Sequence, residues 1–167
     1  MNYDWKAFDL HFYYPARLEE VWTCWATPAG LCRFFVQDCP TTDSAGLPRD
    51  PTRTFAVGDH YRFRWRHGFE ARGTVLEVIP ERRLSITFGS MRVDVNLAEA
   101  PGAIHVHLRQ SDIPDTEDGR VQDHLNCRSC WIFFMTNLVS VLKTGTDLRD
   151  VDPARVSSME VGYTPRS

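Results

Sequence analysis

The sequence predicts an α+β fold in which a run of antiparallel strands packs against one long C-terminal helix. Three observations carry that expectation. Between Tyr61 and Arg109, apolar and polar residues alternate along short segments separated by turn residues, which is the period of strands with one buried face. From Gly119 to Gly145, the stretch GRVQDHLNCRSCWIFFMTNLVSVLKTG places apolar residues at helical spacing with no proline inside it. The third observation is size: 167 residues, 43% hydrophobic and 25% charged, suit one domain with a single sizeable core.

In chain order, Tyr3 to Tyr14 alternates, with Phe8, Leu10, Phe12 and Tyr14 on one face and Ala7, Asp9, His11 and Tyr13 on the other. That is a strand with one buried side. ARLEEVWTCWAT then puts Leu18, Val21, Trp22 and Trp25 at helical spacing, and Pro28 ends it. AGLCRFF makes a second short helix beyond a bend at 27–30. Residues 37–55 are rich in proline, threonine and aspartate. They read as a long loop holding at most one short strand.

The meander comes next. Tyr61, Phe63 and Trp65 alternate with arginines, and His67-Gly68 supplies a turn. A returning strand over 69–79 leaves its facing open, because a two-residue turn and a bulged turn send Glu77 to opposite sides. Leu84, Ile86 and Phe88, then Val93, Val95 and Leu97, then Ile104, Val106 and Leu108 continue the apolar face. His105 and His107 share the opposite face with Arg92, Asp94 and Asn96, so they read as outer-surface residues rather than a metal pair.

On a wheel of about 100° per residue, the long helix turns His124, Cys127, Trp131, Phe134, Met135, Leu138 and Leu142 to one side. Gln122, Asn126, Ser129, Thr136, Asn137, Ser140 and Lys143 form the polar arc. Leu138 and Leu142 are expected in the core. Phe133 sits within the polar arc and is a modest signal for a contact surface, hence a possible homodimer.

A net charge of −3 gives no reason to expect nucleic acid. The longest apolar run, Trp131 to Met135, is far short of a membrane span. The start, MNYDWKAF, lacks an apolar signal core, so a cytoplasmic protein is expected. The five cysteines are odd in number and scattered. Cys127-x-x-Cys130 lies inside a helix instead of opening one, and no further ligands stand at zinc spacing. Small buried thiols are the expectation, with no metal and no cofactor.

The segments PARLEEVWTCWATPAGL at 15–31, VGDHYRFRW at 57–65, GTVLEVIPERRLSITF at 73–88, LRQSDIP at 108–114 and NCRSCWIFFMTNLVSVLKTGTDLRD at 126–150 carry a resemblance. Together they resemble the helix-grip fold of the START/Bet v 1-like (SRPBCC) superfamily, and more narrowly the branch named after the activator of the heat-shock-protein-90 ATPase. Two positions depart from the branch: Cys130 stands where a glycine usually precedes the helix tryptophan, and Thr144 where an acidic residue or glycine usually follows the lysine. The resemblance covers about residues 5 to 150. A domain over 1–150 and a C-terminal tail over 151–167 follow from it.

The resemblance implies a curved sheet wrapped around the long helix, with a cavity between them that takes small apolar or aromatic molecules. The residues agree with a pocket walled by Trp65, Phe88, Cys127, Trp131, Phe134 and Met135, with His124 and Arg128 flanking its mouth. Arg128 would favour amphipathic acids. A binding protein without chemistry of its own is the leading expectation, and a homodimer stands beside it. The alternative is a cyclase- or hydrolase-type enzyme on an aromatic or lipid-like substrate, its acid–base groups drawn from His124, Arg128, Cys127 and, if it faces inward, Glu77. A chaperone ATPase activator-like partner ranks last, because the co-chaperones of that name carry a separate N-terminal region.

Overall fold

The structure, a computed structural model, describes residues 3–152, 154 and 155. The tail expected over 151–167 therefore lies mostly outside the described residues, as does any cover it gives the long helix.

Strict alternation produces the expected sheet. Strands β1 (Phe8–Tyr14), β2 (Thr41–Thr42), β3 (His60–Arg64), β4 (Glu70–Ile79), β5 (Arg83–Phe88), β6 (Met91–Ala100) and β7 (Ala103–Ser111) form one sheet in the order β1-β7-β6-β5-β4-β3-β2. Every pairing is antiparallel. The sheet curves, and Leu84, Ile86, Val93, Val95, Val106 and Leu108 are buried on its inner face. The first strand begins later than the alternation suggests. Asp4 Oδ1 accepts from the Lys6 backbone N–H at 2.9 Å, and this turn directs Tyr3 and Trp5 towards the long helix.

Two short helices follow β1: α1 (Leu18–Ala26) and α2 (Pro28–Cys32). Pro28 is favoured in a first helical turn, and the Thr27 hydroxyl accepts from the Gly30 N–H at 2.9 Å, which caps α2. The two helices cross so closely that a Cβ on Gly30 would lie 2.0 Å from the Thr23 carbonyl oxygen. Only glycine allows that approach.

β4 carries a bulge between Val75 and Glu77. Val75 is buried against the core, while Glu77 pairs across from Ser85 on the outer face. Its carboxylate forms an ion pair with Arg83, 2.9 Å from Nε. The facing of Glu77 is thus outward, because the extra residue of a bulge reverses the alternation.

The long helix is built in two parts. Gly119–Asn126 winds as a π-helix and continues as α3 (Cys127–Thr144), which Gly145 ends at φ 74°. A π-helix has a wider turn than the α wheel, so facings before Cys127 depart from those the wheel gives. Within α3, Trp131, Phe134, Met135, Leu138 and Val141 are buried. Three expectations change. Leu142 is half-buried, with Val141 taking the core position; Phe133 is half-buried, its ring 5.2 Å from that of Phe134. Asn137, placed on the polar arc by the wheel, is fully buried.

Asn137 is buried because the segment after α3 folds back over it. Its Nδ2 donates to the Phe34 carbonyl at 2.9 Å and to Asp147 Oδ1 at 3.0 Å, and its Oδ1 accepts from the Leu148 N–H at 2.7 Å. Arg149 completes the strap, reaching the carbonyls of Val36 and Cys32 and both oxygens of Asp147. By length and composition alone Gly119–Thr144 could cross a membrane. Its apolar face is taken up by the sheet.

An aromatic cavity at the start of the long helix

Most of the space between sheet and helix is filled by rings. Trp131 stacks on Phe35 with centroids 4.6 Å apart at 18°, and Phe134 meets Phe35 edge-on at 5.0 Å. Trp25 lies 6.0 Å from Trp131 and 5.1 Å from Phe34. The void left among these rings and the inner strands is about 10 Å³, no more than a single water needs.

A larger cavity, about 170 Å³, remains at the N-terminal end of α3. The sheet contributes Trp65, at the end of β3, and Phe88, at the end of β5; the turn between β3 and β4 adds His67 and Phe69. Phe35 closes it from beyond α2. The helix supplies Asn126, Cys127, Cys130, Trp131 and Phe134. Six of these ten residues are aromatic, and none is a carboxylate, lysine or arginine. Phe69 is 57% exposed and stands at the rim.

Of the residues expected to form the pocket, Trp65, Phe88, Cys127, Trp131 and Phe134 line the cavity. Met135 does not: it is fully buried, and its carbonyl accepts from the Tyr14 hydroxyl at 3.2 Å. Arg128 does not either, because it lies on the exposed side of the helix. His124 is fully buried among Tyr3, Trp5 and Phe8, with ring centroids 5.2–5.3 Å away. The carbonyl of Trp5 can only accept, so His124 Nδ1 donates to it at 3.0 Å and Nε2 accepts from the Tyr3 hydroxyl at 2.8 Å. Burial holds its pKa below the ordinary histidine value. His124 thus fastens the N-terminal segment to the π-helix instead of guarding a mouth.

Sequence reasoning missed Phe35, His67, Phe69, Asn126 and Cys130 as lining residues, and it missed Gln110 behind them. Gln110, fully buried on β7, accepts from Trp131 Nε1 at 2.8 Å and donates to the Asp123 carbonyl at 3.0 Å. One amide therefore orients the central ring and ties down the π-helix. The signal was a glutamine at an inward position of an alternating strand, one residue on from Arg109.

The two thiols face the same space but are poor nucleophiles. Burial pushes Cys127 up to about 12 and Cys130 up to about 11, so both stay protonated at neutral pH. On the outer face, His11, His105 and His107 stack, with His11 4.5 Å from His107. His107 and Arg109 both bond to Asp9. Among the described residues no group of three or more His, Cys, Asp or Glu is arranged to hold a metal.

The sequence pattern of the family described as "Activator of Hsp90 ATPase homolog 1-like protein" matches residues 15–143. No curated protein matches the chain. Several solved structures share the fold. A protein from Staphylococcus saprophyticus superposes with a TM-score of 0.69 at 16% identity, covering 86% of this chain and 96% of its own. The Aha1 dimer from Colwellia psychrerythraea gives 0.67 at 17% identity, with 84% and 98% covered. DynU16 of the dynemicin biosynthetic locus gives 0.69 at 19% identity, covering 87% of this chain and 50% of its own. At these identities the likeness is one of fold.

Proposed function

The chain belongs to the family of activator of Hsp90 ATPase homolog 1-like proteins, and from that premise we propose that it binds a small hydrophobic molecule in the cavity at the start of α3. One observation carries this reading. A core otherwise packed ring on ring leaves a space of about 170 Å³ walled by six aromatics and two protonated thiols, with His67 and Asn126 completing the lining. Apolar concave sites of this kind are favourable to ligands because burial of apolar surface drives association.

The amphipathic acids favoured by an inward Arg128 drop out of the proposal, since that arginine points to solvent. The enzyme alternative loses its acid–base pair: Glu77 is held by Arg83 on the outer face, and His124 is enclosed by Tyr3, Trp5 and Phe8. Five free thiols suit a cytoplasmic setting.

A naphthalene-sized neutral fluorophore such as 2-naphthol tests the reading directly. It is expected to bind the wild type at micromolar concentration and to quench tryptophan emission. Trp131→Ala should change its affinity, whereas Arg128→Ala should leave it within about twofold, as expected for a surface side chain away from the site. Failure of the wild type to bind at high micromolar concentration overturns the proposal.

A homodimer belongs to the same proposal. Leu125 and Ile132 stand exposed on the outer side of the helix at 49% and 36%, which supplies a better contact surface than the half-buried Phe133. Light scattering should give a dimer for the wild type and a monomer for Ile132→Asp. A monomeric wild type rejects the idea.

A further inference from the structure

Given the binding proposed for this cavity, the chemistry of its lining narrows the class of ligand. We infer, resting on that proposed site, that the cavity selects a flat, uncharged molecule of one or two rings that carries a single hydrogen-bond acceptor, received by the indole N–H of Trp65.

Size comes first. An apolar cavity of about 150 Å³ takes up benzene and stays dry without it. The space here, about 170 Å³, suits one ring or a compact fused pair and excludes long acyl chains or multi-ring skeletons. Shape is set by the walls. Trp131 and Phe88 stand 6.0 Å apart, and Trp65 meets Phe88 nearly edge-on at 6.4 Å. Rings so disposed favour a planar guest through stacked and edge-on contacts.

Charge is decided by what the lining lacks. Among the described residues no carboxylate, lysine or arginine contributes to it, and the thiols remain protonated. An ion brought here would lose its hydration against mostly aromatic walls, with His67 the one basic side chain among the described lining residues, a heavy penalty in a largely apolar site. A carboxylate or ammonium group on the ligand is therefore selected against.

The polar contact is set by an unpaired donor. Trp131 gives its N–H to Gln110. Trp65 lines the cavity, and its buried Nε1 has no hydrogen-bond partner among the described residues. Indole is a donor only, so the group that completes it must be an acceptor such as a carbonyl. Trp25 Nε1 is also unpaired, but it borders only the void of about 10 Å³. Of the two unpaired indoles, Trp65 is the one beside a space large enough for a ligand.

Three bicyclic probes of nearly equal size separate these features: 1-indanone, indane, and indane-1-carboxylate. By calorimetry or ligand-observed NMR, wild type should bind indanone about tenfold more tightly than indane, the scale of one well-placed hydrogen bond, and the carboxylate weakest. Trp65→Phe keeps an aromatic wall without the donor, and should bring indanone and indane within about twofold. In the wild type, one of the five indole N–H resonances should move downfield on adding indanone, the direction of hydrogen-bond donation, and show no downfield move with indane, a readout that does not depend on the variant folding. Equal binding of indane and indanone overturns the inference while leaving the binding proposal standing. A preference that survives Trp65→Phe, or a carboxylate that binds tightest, overturns it in the same way. Binding of none of the three overturns both.

Discussion

Replacing Arg149 by alanine should lower stability by about 2–4 kcal/mol, seen as a lower denaturant midpoint with an unchanged slope. Arg149 is 8% exposed. Its guanidinium donates to the Val36 carbonyl at 2.8 Å, to the Cys32 carbonyl at 2.9 Å and to Asp147 Oδ2 at 2.7 Å. Truncation leaves two carbonyls and Asp147 Oδ2 without their donor, while Oδ1 keeps those from Asn137 and the Arg149 backbone, and unfastens part of the strap over Asn137. The loss falls short of the largest values for buried pairs because Asp147 is a third exposed and water can reach it. Arg149→Lys should recover only part, since an ammonium cannot reproduce the planar fork.

The pH dependence of that loss is set by Asp147. Burial raises its pKa, but the bonds from Arg149 and Asn137 outweigh this and leave it below the ordinary 3.8. A carboxylate whose folded pKa is depressed contributes stability above its unfolded pKa, and the contribution disappears as pH falls through the folded value. The gap between wild type and Arg149→Ala should therefore stay constant from about pH 5 to 8 and shrink only below about pH 4. A gap that narrows near pH 6 would implicate a histidine instead. Arg66 belongs to the same assembly, donating to the Asp150 carbonyl and lying 3.7 Å from Asp147. Loss of the strap should thus loosen the turn that carries His67 and Phe69 to the cavity.

Leu138→Ala should cost about 2–5 kcal/mol, the range for a fully buried leucine whose surroundings relax only in part. Leu138 has no exposed surface and sits one turn beyond Phe134, where the helix presses on the inner sheet. Ser140 lies half-buried around the helix, and Ser140→Ala should change stability by no more than about 0.5 kcal/mol. Equal effects of the two substitutions in denaturant melts would mean that the helix is rotated from the facing described. Because Leu138 does not line the cavity, its loss should lower stability with little change in affinity for a neutral ring.

The elements were legible in the sequence wherever one periodicity governed a whole stretch. The meander from Tyr61 to Arg109 has a single buried face, so alternation assigned Leu84, Val93 and Val106 inward and His105 and His107 outward. Illegibility began where the period changed within an element. The bulge after Val75 and the π-helix before Cys127 each insert extra backbone whose position no side-chain pattern marks. Glu77 and the first turns of the helix were therefore undecided or displaced. Five of the eight pocket residues named from sequence line the cavity. Of the other three, His124 lies in the π-helix that a uniform wheel does not describe, Arg128 is exposed to solvent, and Met135 faces inward as the wheel has it but is packed into solid core away from the cavity.

By itself the sequence determined the fold and the apolar character of the site, because both depend on which residues repeat at which spacing. Trp65, Phe88, Trp131 and Phe134 are aromatic at inward positions of their own elements, and that is a local property. Only the tertiary structure decided how these rings divide between solid core and open space, which donor remains unpaired, and which polar groups the chain consumes internally. Gln110 satisfies Trp131 from 21 residues away, and Tyr3 satisfies His124 across 121. Such pairings depend on distances between elements remote in sequence. Local spacing carries no record of those distances, so the partner of a buried polar group becomes visible only when the chain has closed around it.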